Sequence, residues 1–204
     1  MKFYEGMFIL HNRDPGPLPG AEELPEGTEP PKPATPEEVV TAMIEKAGGK
    51  IEHTMIWANR KLSYPIAGNQ TGSYVICYYG AESGVNDVLN REVHLSDRCL
   101  RSMSIAIDAI PAEADMPEPL AEPNSRGTRR SDIDLPMVLK EGEKQKKLWE
   151  LIDYKHPFVL RRMISAQGKL FSRVRSNLEA KSQRKLRRAV HRARNMALLP
   201  FVGR

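Results

Sequence analysis

Apolar residues fall into short blocks separated by polar and proline-rich stretches. The first block, FYEGMFIL at 3–10, is aromatic and aliphatic and predicts a strand. From residue 36 the period changes. Val39, Val40, Met43, Ile44 and Ala47 recur at helical spacing and share one face. Thr35 can cap this helix, Pro36 suits its first position, and Glu38 completes a capping box. Gly48-Gly49 ends it. Two strand candidates follow, at 50–57 (KIEHTMIW) and 61–67 (KLSYPIA), then a turn at 68–72 (GNQTG). SYVICYYG at 73–80 is rich in β-branched and aromatic residues and predicts a further strand. Residues 84–95 return to helical spacing, with Val85, Val88, Leu89 and Val93 on one side, and 99–110 alternates as a last strand.

The order β-α-β-β-α-β predicts an α+β class: a ferredoxin-like domain over residues 1–110, with two helices on one face of a four-stranded antiparallel sheet. Two stretches do not fit a core. Residues 14–36 are dense in Pro, Gly and Glu and read as a flexible insertion, mobile and dispensable for folding. Residues 111–147 have many prolines, mixed charge and no periodicity, and read as a linker. A small helical module is expected over 148–204. Pro157 opens a short helix that Gly168 closes, KLFSRV is a brief extended segment, and a capping box at Ser176–Glu179 starts a last helix running to about Asn195. ALLPF at 197–201 reads as an apolar anchor.

Charge changes the picture most in that last helix. Residues 155–204 hold 14 Lys/Arg against the single acid Glu179, a net +13, while residues 1–154 carry −8. Such asymmetry points to two modules, one built for a polyanion. Leu186, Ala189, Val190, Ala193 and Ala197 form one narrow apolar stripe. Arg184, Lys185, Arg188 and Arg192 flank it, and Lys181, Arg187 and Arg194 occupy the rest. Like charges at i, i+4 destabilise an isolated helix by a few tenths of a kcal/mol per pair, on the order of 0.3. With no acid following Glu179 within the helix, the charge is set for an external anion. A solvated basic face would interleave Glu. A membrane-surface helix needs bulkier apolar residues than Ala and Val. Neutralisation by the acidic N-terminal half would draw on residues mostly in loops. A nucleic acid fits best, since Arg forks bind phosphate bidentately and counterion release drives association. A helix of ~19 residues spans ~28 Å, enough for several phosphates.

Other chemistry finds little support. Cys77 and Cys99 lie in apolar stretches and read as buried thiols. No CxxC, HExxH or His/Cys cluster offers a metal site, so no cofactor or metal is expected. No apolar run approaches a membrane span, and the N-terminus lacks the marks of a secretory or transit peptide, so a cytoplasmic protein is expected. Some ferredoxin-like domains are small hydrolases such as acylphosphatases. Asn59-Arg60 and Asn86 do not form the anion loop those need, and no nucleophile–base pair stands out, so neither an enzyme nor a small-molecule substrate is expected.

The motifs carry a resemblance. IDYK at 152–155, GKL and SRV within 160–174, and AKSQRKLRRAVHRARNMALLPF at 180–201 closely resemble bacterial small-subunit ribosomal protein eighteen. FYEGMFIL, Gly48–Ile51, Arg60–Ile66, Gly72–Tyr74, Val85–Asp87, Arg91-Glu92 and Leu100-Arg101, in that order, resemble bacterial small-subunit ribosomal protein six, a family with the ferredoxin-like fold. The chain thus looks like a natural fusion of the two, which pair as a heterodimer on the platform of the small subunit. The resemblance implies a structural constituent of the bacterial 30S ribosome in the cytoplasm. It would bind 16S rRNA, meet neighbouring platform proteins, and pair residues 1–110 with 148–204 intramolecularly. A linker of roughly 37 residues reaches ~120 Å when extended, so it forces no strained arrangement. The RNA contacts are expected from Lys181, Arg184, Lys185, Arg187, Arg188, Arg192 and Arg194, with Lys169, Arg173 and Arg175 assisting. The same surface would serve an alternative role, an extra-ribosomal regulator that represses its own mRNA.

Overall fold

The computed structural model describes residues 1–11, 35–112, 116–117, 152–176 and 178–202. The chain divides into two compact units, Met1–Glu122 and Pro123–Arg204. Most of the 14–36 insertion and of the 111–147 linker lies outside the described residues, as does the start of the second module at Leu148.

In the first unit the elements follow as β1 (Lys2–Leu10), α1 (Pro36–Lys46), β2 (Lys50–Ile66), β3 (Asn69–Ala81), α2 (Val85–Leu95) and β4 (Cys99–Ile107). The sheet order is β2-β3-β1-β4 with every pair antiparallel, the ferredoxin-like arrangement expected from the element order. The core between sheet and helices contains Phe8, Leu10, Val39, Val40, Ile44, Val75, Cys77, Tyr79, Leu89 and Val93. The helix-free face of the sheet is equally apolar: Met7, Ile9, Trp57, Tyr74, Ile76 and Tyr78 are all buried. Gly6 permits the close approach of β1 to β3, since an added Cβ would lie 2.8 Å from Cys77 Sγ and 2.9 Å from Phe8. Burial pushes the Cys99 thiol up to about 12 and raises the Cys77 thiol further, so both stay protonated and inert.

The ends of α1 are as expected. Glu38 N–H donates to Thr35 Oγ1 at 3.3 Å, and Thr35 N–H donates to Glu38 Oε2 at 2.9 Å. Gly48 at φ +88° lets the chain turn away. Thr35→Ala should remove one cap and cost about 1 kcal/mol, read as a shift in the denaturant midpoint. Tyr79 ties the layers together. Its hydroxyl lies 2.8 Å from Asn86 Oδ1 on α2 and 2.8 Å from Ser104 Oγ on β4. Lys46 and Glu92 join the two helices at 2.7 Å.

Several boundaries differ from the sequence reading. The two strands expected at 50–57 and 61–67 are one strand of 17 residues, β2. Register shifts at Ile51/His53, Ile56/Ala58 and Lys61/Ile66 break its alternation while pairing with β3 continues. β2 is an edge strand, so Pro65 is tolerated within it. The turn is not GNQTG. It is Ala67-Gly68, at φ 47° and 78°, a two-residue hairpin loop that lets β3 begin at Asn69. Val88, expected on the buried side of α2, is exposed, because the helix turns Leu89 and Val93 inward.

The second unit has α3 (Pro157–Arg162), a single turn α4 (Arg173–Ser176) and α5 (Ala180–Asn195). Its buried residues include Ile152, Tyr154, Val159, Leu160, Leu186, Ala189, Val190, Ala193 and Met196–Leu199. α3 ends six residues before Gly168 rather than at it. A small hairpin follows, closed by the bridge Ile164↔Leu170 with Gly168 at φ +83°. KLFSRV is therefore only partly extended, since Arg173 and Val174 already belong to α4.

Candidate nucleic-acid interface

The stripe expected on the last helix is observed. Leu186, Ala189, Val190 and Ala193 are buried on one side of α5, and Ala197 just beyond it is buried too. The opposite side is therefore free to carry charge. At 100° per residue, Lys181, Arg184, Lys185, Arg188 and Arg192 fall in one arc centred away from the stripe, together with His191. All of these are exposed except Arg192, which is half-buried. Arg187 is exposed on the other flank, where half-buried Arg194 also lies. α5 has 16 residues and so runs about 24 Å.

The helix ends explain part of the charge. The N-cap is Glu179, with no side-chain hydrogen bond, so the expected Ser176 capping box does not form. The helix begins three residues later than that reading required, and its third position is Ser182 rather than an acid. Ser176 Oγ instead lies 3.0 Å from the Ser172 carbonyl and 3.0 Å from Gln183 Oε1. At the other end Arg192 and Arg194 sit in the last turn, where the helix dipole favours cations. Ala197 at φ 50° closes the helix and lets Leu198 N–H donate to Ala193 O at 2.9 Å. Of the apolar anchor, Leu198 and Leu199 are buried and Phe201 is exposed.

The ten candidate residues do not form one uniform surface. Among the described residues, Lys181, Arg184, Lys185, Arg187, Arg188 and Arg192 have no side-chain hydrogen bond or ion pair. Lys169 sits exposed in the hairpin, and Arg173 and Arg175 are exposed on α4. The Arg175 guanidinium lies over the Phe171 ring at 4.0 Å. Arg194 differs from the rest. Its Nη2 donates to the Gly168 carbonyl, so it braces the hairpin against α5. Arg194→Ala should destabilise the unit by about 2 kcal/mol, the range for a hydrogen bond from a charged donor, and Arg194→Lys should restore only part of it. Chemical denaturation of the three proteins checks this.

Sequence reasoning did not single out Arg161, which is exposed at the end of α3. Its signal was its place in the last turn of a short helix within the basic segment. Asp153 and Glu179 are the acids among the described residues of this unit, and Asp153 stands 4.0 Å from Lys155. Electrostatically α5 carries a cation surface over an apolar underside. It can hold several phosphates, its arginines through fork-shaped donors.

The comparisons with known proteins divide along the same line. Residues 150–199 match the family "Ribosomal protein S18", and residues 31–106 match "Ribosomal protein S6". The small ribosomal subunit protein bS18A of Roseiflexus sp. is 56% identical over 54 residues, which is 26% of this chain and 61% of that protein. The small ribosomal subunit protein bS18c of Psilotum nudum is 49% identical over 55 residues, 27% of this chain and 73% of that protein. For the other half, the small ribosomal subunit protein bS6 of Bifidobacterium longum is 37% identical over 60 residues, 29% of this chain and 62% of that protein. The chain spans 61% of the length of the first of these relatives. The crystal structure of 30S ribosomal protein S6 from Thermotoga maritima aligns at 19% identity and a TM-score of 0.34, covering 52% of this chain and 87% of that one.

Proposed function

We propose, for a chain that belongs to the ribosomal protein S18 family through residues 150–199 and fuses to it a ribosomal protein S6 domain at 31–106, that it serves as a single structural component of the small ribosomal subunit, held there by small-subunit rRNA. Both families are non-enzymatic constituents of that subunit. The observation that carries the reading is the cation row of α5. Lys181, Arg184, Lys185, Arg187, Arg188 and Arg192 project without an acidic partner among the described residues, from a helix whose underside is fixed by burial. A helix carrying four forked guanidinium donors and two lysines over about 24 Å can face several phosphates and releases counterions on binding. Lys169, Arg173 and Arg175 extend the contact beyond the helix, while Arg194 serves chiefly as a brace.

The second part of the reading is that residues 1–110 and 148–204 work as modules joined by the tether 111–147 and pair with each other on the platform. The division of the chain into two compact units, Met1–Glu122 and Pro123–Arg204, supports the modular part of it. Tethering makes the pairing intramolecular, at an effective concentration on the order of millimolar.

Quantitative mass spectrometry of small subunits from the native organism tests the whole reading. One intact copy per particle, with peptides spanning 111–147 and release only at high salt, is expected. Absence from the particle, with the protein free in the cell, would overturn it in favour of an RNA-binding regulator of its own message.

A further inference from the structure

We propose that the turn Phe171–Ser176 is a stacking platform for one unpaired base of the bound RNA, with the Arg175 guanidinium, laid on the Phe171 ring, as its surface. The proposal rests on the RNA-binding reading above and adds what that reading lacks, a contact to a base rather than to a phosphate.

Three observations meet at this turn. The Arg175 Cζ stands 4.0 Å from the Phe171 ring centroid, closer than the pairs Arg101–Tyr64 at 5.9 Å and Lys155–Tyr154 at 5.7 Å. That distance is a cation–π contact that sets the guanidinium against the ring. The rest of the guanidinium is open to a ligand, because Arg175 is exposed and has no ion pair or hydrogen bond among the described residues. Beside it Val174 is 90% exposed, an apolar side chain held out at the tip of a basic turn.

The turn is also held in place. Phe171 N–H donates to Met163 O at 3.0 Å, and Gln183 Nε2 donates to Phe171 O at 2.9 Å. Ser176 N–H donates to Ser172 O at 3.0 Å, and Ser176 Oγ meets the same Gln183 at 3.0 Å. Both ends are thus tied to α5. The platform is ordered before ligand arrives, so binding loses little side-chain entropy. A phosphate contact needs only a charge, which a solvated lysine supplies. A guanidinium stacked on an aromatic ring, with an exposed apolar neighbour, matches the flat apolar face of a base.

The test uses the full chain and the intact small-subunit rRNA of its own organism, with filter binding across a salt series. Phe171→Leu keeps apolar bulk and removes the ring. Arg175→Lys keeps the charge and removes the plane. Each should weaken binding about tenfold, the scale of one base–aromatic stack. Each should also leave the slope of log affinity against log salt unchanged, because stacking releases no counterion. Ultraviolet cross-linking of the wild-type complex should place a nucleotide within the Phe171–Ser176 turn. Wild-type affinity in either variant, alongside a steep wild-type salt slope, overturns the platform and leaves the RNA-binding reading intact. A flat wild-type slope removes the RNA-binding reading itself. Should Phe171→Leu lower the thermal midpoint, exposed Arg175→Lys decides the matter alone.

Discussion

Changing Arg184, Arg188 and Arg192 together to glutamine should weaken binding to small-subunit rRNA about a hundredfold at physiological salt, while the stability of the protein changes little. These three residues follow one another at i, i+4 on the outer arc of α5. Each lost phosphate contact is worth on the order of 1 kcal/mol, and 1.4 kcal/mol is tenfold. The salt slope should flatten by about 0.7 to 0.9 for each contact removed. The stability terms nearly cancel. Glutamine is a good helix former, and removing the Arg184/Arg188 and Arg188/Arg192 repulsions relieves on the order of 0.3 kcal/mol each, while losing the Arg192 charge from the last turn gives back about 0.3–1 kcal/mol of dipole stabilisation. Loss of binding with a nearly unchanged thermal midpoint separates a contact surface from a structural one. An unchanged salt slope in the triple variant would show that the arc faces no phosphate.

Leu186→Ala should have the largest effect on stability. Leu186 has no solvent exposure and sits on the stripe that seats α5. Truncating such a leucine costs about 2–5 kcal/mol, the spread depending on how far the cavity collapses. A unit this small has little stability in reserve. Amide hydrogen exchange is the direct readout. Protection at α5 amides should fall by a factor of 10² or more, on the order of 3 kcal/mol. Binding should fall with it, but for a different reason than in the arginine variant, since the charges remain and only their scaffold is lost. The two substitutions together therefore distinguish what holds the helix from what the helix holds.

Some of this was written locally in the chain. Thr35, Pro36 and Glu38 specify the start of α1 because a capping box is satisfied within four residues. The apolar stripe of α5 was legible because burial selects one face of a helix and leaves its period in the sequence. The six cations of α5 that have no ion pair among the described residues could be named because the helix contains no acid to answer them. The breaks occurred where a distant strand or side chain settles the local structure. Asn59-Arg60 looks like a gap between two strands, yet β3 pairs straight across it. Ala67 takes a left-handed φ that alanine does not favour, because the hairpin between two long strands requires it. Arg194 looks like its neighbours in sequence, but Gly168 lies 26 positions away and accepts its hydrogen bond.

The sequence by itself thus determined the order of elements, the capped start of α1, the buried stripe and the charge of α5, since periods of two and 3.6 and the balance of acids and bases are properties of neighbouring residues. Only the tertiary structure decided that β2 is continuous, that Arg194 is a brace, and that Arg175 lies on Phe171 at the tip of a turn tied to Gln183. These depend on which backbone carbonyl, ring or strand arrives from elsewhere in the chain, and no local pattern encodes that arrival.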